Sequence, residues 1–231
     1  MMQTGNKLVR IFNDLIFPDS CLLCGQLGRS ICQLCEQKIV IKPCSVCPIC
    51  KEEDCRQHSA NISRLWALAK YHDWGINSLI TNIKYRYQTD LLSDFWHQKL
   101  NDFYQRNHCL FEDRLIIPIP LHRIKLLRRG FNQSELIAEI LAKLSGSQLE
   151  KGLLIRFKNN NSQAGSKGQE RLENVKDIFR VDYRSLSEAY GRKILLVDDV
   201  YTTGATVLSA AGELRKCGFK EIDCLVLAFG K

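Results

Sequence analysis

Two adjacent carboxylates and a group of hydroxyl side chains follow an apolar segment late in the chain. The apolar run ILLV at residues 194–197 leads into Asp198 and Asp199, and Val-Tyr-Thr-Thr-Gly-Ala-Thr follows at residues 200–206. A strand that ends in a threonine and glycine turn before a helix gathers backbone N–H groups and a helix N-terminus around a phosphate-sized space. The carboxylates would repel phosphate, so we expect them to face sugar hydroxyls or a metal ion. The segment predicts a sugar-phosphate site, and a capped strand-to-helix turn is the simpler alternative.

Eight of the 11 cysteines lie between Cys21 and Cys55, most of them in C-x-x-C pairs. Such a pair directs two thiolates at one centre, and two pairs complete a tetrahedral zinc site. The block has few large apolar side chains, so we expect one or two structural zinc ions to supply its folding energy. The simplest assignment uses two groups of four consecutive ligands: Cys21, Cys24, Cys32 and Cys35, then Cys47, Cys50, Cys55 and His58.

Other interpretations of the cysteine block stay open at this point. The same spacing also allows an interleaved assignment, in which the first C-x-x-C pair, or knuckle, shares an ion with the third. Cys44 is then a spare or alternative ligand. An iron–sulfur cluster or a redox dithiol also uses C-x-x-C pairs, but the usual ferredoxin runs of cysteines are absent. His58 is the weakest member of the set, because a lone histidine near a linker is often only solvated.

Beyond residue 64, short apolar runs alternate with helical patterns, and these elements must position the chemical groups. The alternation predicts an α/β fold with a mostly parallel sheet. Residues 121–132 read as a basic loop leading into a helix, and residues 159–168 read as a mobile polar loop. Strands are predicted over 64–72, 114–120, 153–158, 193–199 and 221–229, and helices between 75 and 104 and over 133–144, 167–176 and 205–216.

Composition and the N-terminal segment bound the class of protein. The chain has 231 residues, of which 45% are hydrophobic and 25% charged, so wholesale disorder is excluded. No apolar run approaches the roughly 20 residues of a membrane-spanning helix, and the N-terminus lacks a continuous signal-peptide core. We therefore expect a cytoplasmic protein, with peripheral association at the inner face of the membrane left open. The net charge of +8 permits a polyanionic partner without requiring one.

Three domains are predicted along the chain. Residues 1–17 contain an amphipathic helix whose apolar positions follow the i, i+3, i+4, i+7, i+8 pattern. We expect this helix to pack on the protein itself, because it lacks the strongly basic face of a membrane-surface helix. Residues 18–60 form a double zinc-ribbon-like domain, and residues 61–231 form the α/β domain.

The acidic pair and its loop resemble the ribose-phosphate motif of type I phosphoribosyltransferases, enzymes that use 5-phosphoribosyl 1-pyrophosphate (PRPP). The remainder is similar to one branch, the ComF family of competence proteins, over nearly the whole chain and in the same order. The run R-R-G-F-N-Q-S at residues 128–134 is the most specific of the supporting segments. The others are F-P-x-x-C-x-x-C at 17–24, Lys84, P-I-P-L at 118–121, Gln163, R-x-x-N-V at 171–175 and Phe179.

The resemblance implies a fold and a ligand. The fold would be a type I phosphoribosyltransferase-like parallel sheet with helices on both faces, preceded by a small Cys-rich zinc ribbon. Asp198 and Asp199 would bind the ribose hydroxyls and stabilise an oxocarbenium-like charge, while Mg²⁺ would accompany PRPP and neutralise its pyrophosphate. The 5-phosphate would be held by Thr202, Thr203, Gly204, Ala205 and Thr206.

A basic group is also needed for pyrophosphate, and residues 122–129 carry four fixed positive charges and no acid. Arginine forks bind phosphate in a bidentate way. The same residues are suited to a nucleic-acid backbone, and a solvated surface is the simpler alternative. Arg171 lies beyond the polar loop and is a candidate lid residue. The basic candidates are Arg123, Lys125, Arg128, Arg129 and Arg171.

The sequence is consistent with three functions. The favoured one is a DNA-uptake accessory protein with a PRPP-binding fold, which handles incoming single-stranded DNA together with import machinery such as a competence helicase. The second is an active phosphoribosyltransferase on an unknown acceptor; its acidic pair and loop are intact, but no base-binding loop is recognisable, and a fold can outlive its reaction. The third is a zinc-dependent adaptor that senses PRPP.

Overall fold

Seven strands and seven α-helices organise the residues that the structure, a computed structural model, describes: 20–53, 55, 58, 60–85, 92–158 and 178–230. The strands are β1 (Cys44–Val46), β2 (Leu65–Lys70), β3 (Arg114–Pro118), β4 (Leu154–Arg156), β5 (Phe179–Val181), β6 (Lys193–Tyr201) and β7 (Ile222–Phe229). The helices are α1 (Gln33–Glu36), α2 (Ile76–Tyr85), α3 (His97–Arg106), α4 (Arg123–Arg129), α5 (Gln133–Ser145), α6 (Leu186–Ala189) and α7 (Ala205–Lys216), with a π-helical turn at Leu92–Trp96 and a 3-10 turn at His108–Leu110.

A five-stranded sheet in the order β1-β2-β7-β6-β3 forms the centre of the fold. Strands β2, β7, β6 and β3 are parallel, and Leu196 of β6 lies opposite Ile117 of β3 and Cys224 of β7. Every residue of β7 and residues 194–197 of β6 are buried. Strands covered on both faces have near-continuous apolar sequences, which is why these runs form the sheet. The predicted mostly parallel α/β fold is confirmed.

Helices cover both faces of this sheet, as predicted. Successive strand residues point to opposite faces, so Leu195 packs in one core and Leu196 in the other. The first core includes Leu100 of α3 and residues of α2 and α5. The second includes Leu214 of α7 and Phe179 of β5, which belongs to a separate two-stranded antiparallel sheet with β4.

The cysteine block joins the main sheet through β1. This strand is antiparallel to β2, with Cys44 opposite Ala67 and Val46 opposite Leu65. Hydrogen-bonded pairing therefore connects residues on the two sides of position 60. The domain boundaries at residues 17 and 60 stay predictions.

Several elements differ from the sequence-based expectation: β1, β5, α1 and α6 are not among the predicted elements, and two predicted segments form differently. The basic segment after β3 is predicted as a loop but forms α4, because His122 Nδ1 accepts the N–H of Ile124 at 3.3 Å and Gly130, at φ 82°, ends the helix. The strand predicted over residues 153–158 forms as β4, but it pairs antiparallel with β5 and lies outside the main sheet.

Some predicted elements fall on other parts of the chain. The helices over residues 7–17 and 167–176, and the polar run at 159–168, lie outside the described residues. Among the helices of the described residues, none combines the length and apolar character that a membrane crossing requires.

Candidate functional site

The two carboxylates and the hydroxyl loop lie at the carboxyl edge of the parallel sheet. Asp198 and Asp199 are near the end of β6, and residues 202–204 connect this strand to α7. Strands β3 and β7 are parallel neighbours of β6, so their carboxyl ends meet the same edge. Open α/β sheets bind ligands in the crevice outside these ends. The predicted site therefore occupies the edge that suits a ligand.

Two donors hold Asp198 in place. Its Oδ1 accepts a hydrogen bond from Ser134 Oγ at 2.7 Å and another from the backbone N–H of Asp199 at 2.9 Å. Ser134 is only 4% exposed and lies in the first turn of α5, at the end of the R-R-G-F-N-Q-S run. The structure thus joins two motifs that are 64 residues apart. Ser134 orients the carboxylate, a role that the sequence alone does not assign.

Two buried side chains beside Ser134 have polar atoms without a hydrogen-bond partner in the described part of the chain: Asn132 Oδ1 and Gln133 Nε2. The other end of each amide is satisfied. Asn132 Nδ2 donates to the carbonyl of Ile119 at 3.0 Å, and Gln133 Oε1 accepts from Arg129 Nη1 at 2.7 Å. An unmade hydrogen bond on a buried polar atom costs free energy. These two atoms are therefore candidates for contact with a polar ligand.

The loop before α7 has the geometry of an anion site. Gly204 adopts φ 79° and precedes the first helical residue, Ala205, whose N–H donates to Thr203 Oγ1 at 3.4 Å. The first N–H groups of a helix have no acceptor within the helix, so they face the loop together with the positive end of the helix dipole. Thr202 and Thr203 are exposed and Thr206 is half-buried, so these side chains are accessible to a ligand at the loop.

The predicted basic residues differ in their placement. Arg129 donates to the Gln133 side chain at 2.7 Å, which puts its guanidinium at the start of α5, the helix that also carries Ser134. Arg171 lies outside the described residues. The remaining candidates lie, like Arg129, on α4, a helix with no buried residue: Arg123, Lys125 and Arg128.

Arg156 on β4 is a further candidate site residue, which the motifs of the sequence do not indicate. Burial lowers the pKa of Arg156, and the nearby charge of Asp198 acts in the opposite direction. Its Nε is buried without a hydrogen-bond partner among the described residues, and its guanidinium lies 5.6 Å from the centre of the Phe179 ring. The available signal is one arginine within the apolar run LLIRFK at residues 153–158. A half-buried cation near Asp198 is suited to an anionic ligand.

The first cysteine group brings four thiols together. The Sγ atoms of Cys21, Cys24, Cys32 and Cys35 all lie within 4.8 Å of one another, and the Cys24 and Cys32 sulfurs are 3.7 Å apart. A tetrahedral ion with Zn–S bonds of about 2.3 Å separates its sulfurs by about 3.8 Å. Burial acts against ionisation, but backbone N–H groups of Cys32, Leu23 and Cys24 lower the pKa of Cys21 to about 6. The group has the geometry of a four-thiolate metal site.

The second group consists of three thiols and an imidazole. The ligand atoms of Cys47, Cys50, Cys55 and His58 lie within 4.8 Å of one another. His58 Nδ1 is 3.2 Å from Cys55 Sγ and 3.9 Å from Cys47 Sγ. The structure therefore brings together consecutive rather than interleaved knuckles, and Cys44 lies on β1 outside both groups. Each group has the donors and the spacing to bind a metal ion.

Comparison with known protein families finds a match in the second half of the chain. Residues 126–231 match the family described as Phosphoribosyl transferase domain. This range includes the acidic pair, the loop at residues 202–206 and the first turn of α5, which form the site described above.

Comparison with individual proteins extends the match toward the N-terminus. The chain is 30% identical to competence protein ComFC of Bacillus subtilis over 206 residues, 82% of this chain and 80% of that protein. It is 28% identical to the DNA utilization protein YhgH of Shigella flexneri over 220 residues, 88% and 94% of the two chains. It is 35% identical to competence protein F of Haemophilus influenzae over 124 residues, which span only about half, 54%, of either protein. The chain belongs to the ComF family of competence proteins.

Proposed function

We propose that this protein assists DNA uptake, binding PRPP at the carboxyl edge of its sheet and handling incoming single-stranded DNA on the cytoplasmic side. Relatives named as competence proteins and as a DNA utilization protein support the DNA role. The observation that carries the PRPP site is the 2.7 Å hydrogen bond from Ser134 to Asp198. This contact gathers the acidic pair and the R-R-G-F-N-Q-S run beside the loop at residues 202–206.

The parts of the site suit the parts of PRPP. Residues 202–206 and the first turn of α7 hold the 5-phosphate through backbone N–H groups and hydroxyls. Asp198 and Asp199 accept hydrogen bonds from the ribose 2′- and 3′-hydroxyls. Ser134 keeps the Asp198 carboxylate oriented before the ligand binds, which lowers the ordering cost of binding.

Pyrophosphate is held by cations and polar groups on the other side of the acidic pair. Arg129 and Arg156 supply positive charge, and Gln133 Nε2 is a buried donor that needs an acceptor, whereas Asn132 Oδ1 is an acceptor and suits a hydroxyl group instead of a phosphate oxygen. Arg171 is a further candidate. Mg²⁺ bound with PRPP supplies additional neutralisation of the pyrophosphate oxygens.

Both cysteine groups are proposed as structural zinc sites. One offers four sulfurs, and the other three sulfurs and one nitrogen. Protein atoms fill all four tetrahedral positions in each group, which leaves no position for a substrate.

Helix α4 is the proposed contact surface for single-stranded DNA, delivered by import machinery such as a competence helicase. Its seven residues include Arg123, Lys125 and Arg128, contain no acid, and are not buried. Leu127 is 84% exposed on the same helix. A basic helix of this kind neutralises backbone phosphates, so its affinity for DNA should fall steeply with salt.

Calorimetry with PRPP and with single-stranded DNA, separately and together, tests this function. We expect Asp198→Asn to weaken PRPP binding by about 10- to 100-fold, the range for hydrogen bonds to a charged group. The double variant Arg123→Gln/Arg128→Gln should reduce the salt slope of DNA binding by about 1.4, from two lost phosphate contacts. The matched control Lys193→Gln/Lys220→Gln changes two exposed cations at the opposite, amino edge of the sheet. Absence of DNA binding at low salt would contradict the DNA role.

An active phosphoribosyltransferase is the second candidate, favoured by the ordered acidic pair. In that reaction an acceptor forms a bond to the ribose C1 while pyrophosphate leaves, and the carboxylates stabilise the positive charge on the sugar. Release of pyrophosphate with a candidate acceptor, lost in Asp198→Ala and Asp199→Ala, would support it. PRPP that binds and alters DNA affinity without being consumed would instead indicate a sensing role.

A further inference from the structure

The second cysteine group lies directly against the loop that leads to α7. Residues 47–51 form a tight turn in which the N–H of Lys51 donates to the carbonyl of Cys47 at 2.9 Å and the N–H of Ile49 donates to Cys47 Sγ at 3.4 Å. Lys51 adopts φ 63°, a left-handed conformation that is uncommon for a residue with a side chain. The turn thus has a defined shape that depends on Cys47, one of the four ligands of the group.

Tyr201 connects this turn to the loop from the side of the sheet. The side chain is 1% exposed, and its Oη donates to the carbonyl of Pro48 at 2.7 Å. Burial raises the pKa of Tyr201, so the phenol remains a donor at neutral pH. Its ring lies against Gly204, where an added Cβ would be 2.1 Å from the Tyr201 Oη. The position of the loop and the position of residues 47–51 are therefore linked through one buried phenol.

Lys51 makes a second connection between residues 47–51 and the loop before α7, at a more exposed position than Tyr201. Its Nζ donates to the carbonyl of Thr202 at 2.6 Å and also to the carbonyl of Gly230. The N–H of Gly230 in turn donates to the carbonyl of Tyr201 at 2.9 Å. One ammonium group therefore joins the ends of β6 and β7 and lies beside the residues proposed to hold the 5-phosphate.

We infer that Lys51 and Tyr201 are positioning residues that couple the Cys47, Cys50, Cys55 and His58 group to the loop at residues 202–206. This inference rests on the proposed PRPP and zinc sites. A metal ion at the second group fixes residues 47–51, and that turn holds the loop in its ligand-binding shape. Coupling between two sites is reciprocal, so PRPP must also stabilise the metal at the second group. The first group is the internal reference, because it belongs to the hydrophobic core on one face of the sheet.

PRPP affinity tests the two contacts. We expect Lys51→Met, Tyr201→Phe and the ligand variant Cys55→Ser each to raise the Kd for PRPP by about tenfold, within the usual range of coupling between sites. Lys42→Met is the matched control, since Lys42 and Lys51 line the same cavity of about 590 Å³ and only Lys51 has a described contact with the loop. Circular dichroism establishes whether each variant is folded. If Tyr201→Phe does not fold, Lys51→Met still tests the inference, because Lys51 is partly exposed.

The rate of metal exchange at each cysteine group is a measurement that a purely structural role of Lys51 would not affect. Replacing zinc with ¹¹³Cd separates the two groups, because four sulfurs and three sulfurs with one nitrogen give different NMR signals. PRPP should slow cadmium exchange about tenfold at the three-sulfur site and leave the four-sulfur site unchanged. This difference should disappear in Lys51→Met and persist in Lys42→Met.

The possible failures are distinguishable. If the wild-type protein does not bind PRPP, the proposed function is overturned and this inference with it. If the wild type binds PRPP but Lys51→Met, Tyr201→Phe and Cys55→Ser bind it equally well, the coupling is overturned and the PRPP site stands. Equal slowing of cadmium exchange at both groups would also overturn the coupling, because it would indicate general stabilisation.

Discussion

The two cysteine groups share their ligand chemistry but differ in what surrounds them. Cys21, Cys32 and Cys35 of the first group are buried in the same hydrophobic core as Leu68 and Leu100. In the second group, His58 is exposed, Cys50 and Cys55 are only partly buried, and residues 47–51 contact the loop before α7.

From this difference we infer that the same four-ligand chemistry would have two different consequences in one short stretch of the chain. A metal ion in the first group would add its binding free energy to the packing of the core. A metal ion in the second group would instead fix the turn beneath the candidate phosphate loop. We therefore expect loss of the first group to reduce stability most, and loss of the second to reduce PRPP affinity most.

The largest expected effect on stability comes from Cys35→Ser. Cys35 is 4% exposed and belongs to the core, so the variant should lower the free energy of unfolding by more than about 4 kcal/mol, as losses of metal sites do. Chemical denaturation of the metal-loaded protein measures this change. Cys109→Ser, an exposed cysteine outside both groups, is the control. A loss below about 1 kcal/mol would show that the first group is not part of the stabilising core.

Arg114→Met should lower the stability of the protein without affecting either cysteine group. Arg114 Nη2 lies 3.0 Å from Asp223 Oδ2, and the two side chains are only 13% and 8% exposed. Removing one partner leaves a buried charge and should cost about 3–5 kcal/mol, whereas metal content and PRPP affinity of the folded protein should not change. Denaturation, metal analysis and calorimetry give these three values. Addition of Asp223→Asn should recover part of the loss, and a decrease in bound metal would contradict the separation.

Gly204→Ala tests the contact between the loop and Tyr201. The new Cβ would overlap the Tyr201 hydroxyl in a left-handed backbone conformation, so we expect a stability loss of about 1–3 kcal/mol together with weaker PRPP binding. Gly146→Ala is matched for backbone strain, at φ 70°, but its added Cβ meets nothing within 4 Å. Calorimetry should separate the two variants. Equal PRPP affinity in both would mean that Tyr201 does not support the loop.

His58→Ala should have the smallest effect on stability and a clear effect on the ligand. Because His58 is exposed and lies outside the core, we expect a stability loss of about 1 kcal/mol. The Kd for PRPP should rise about tenfold. The ratio of the two effects, measured by denaturation and calorimetry, should be the reverse of that for Cys35→Ser. Similar ratios would abolish the distinction between the two groups.

The sequence predicts the four parallel strands of the main sheet, because their positions can be recognised from local apolar runs, but it does not predict β1. Residues 194–197 and all of β7 are buried, and such continuous apolar runs are short enough to be strands. Helix α4 is harder to predict, since it has no buried face to impose a helical period. Its signals are local: strong helix formers between His122, which caps the helix, and Gly130, which ends it.

The candidate site also has one part that the local sequence predicts and another that depends on the tertiary fold. The acidic pair and its loop form one contiguous segment, so their types and order predict an anion and hydroxyl site without tertiary information. Ser134 and Lys51 are 64 and 151 residues away from the atoms they contact. Contacts over such separations depend on which strands become neighbours, and no local pattern encodes that choice. The ligand assignments themselves remain predictions.

The four parallel strands have two outer rows of backbone hydrogen-bonding groups, on β2 and on β3, and each row is partly paired. Strand β1 covers β2, and on the far side the N–H of Ile116 donates to Gln148 and the N–H of Glu150 donates to Ile116, each at 2.9 Å. An open row of this kind is a template for aggregation with another chain. Strand β1 therefore covers residues 65–67 of β2, and we expect a chain shortened to start at residue 61 to self-associate more readily through β2 than the full chain does.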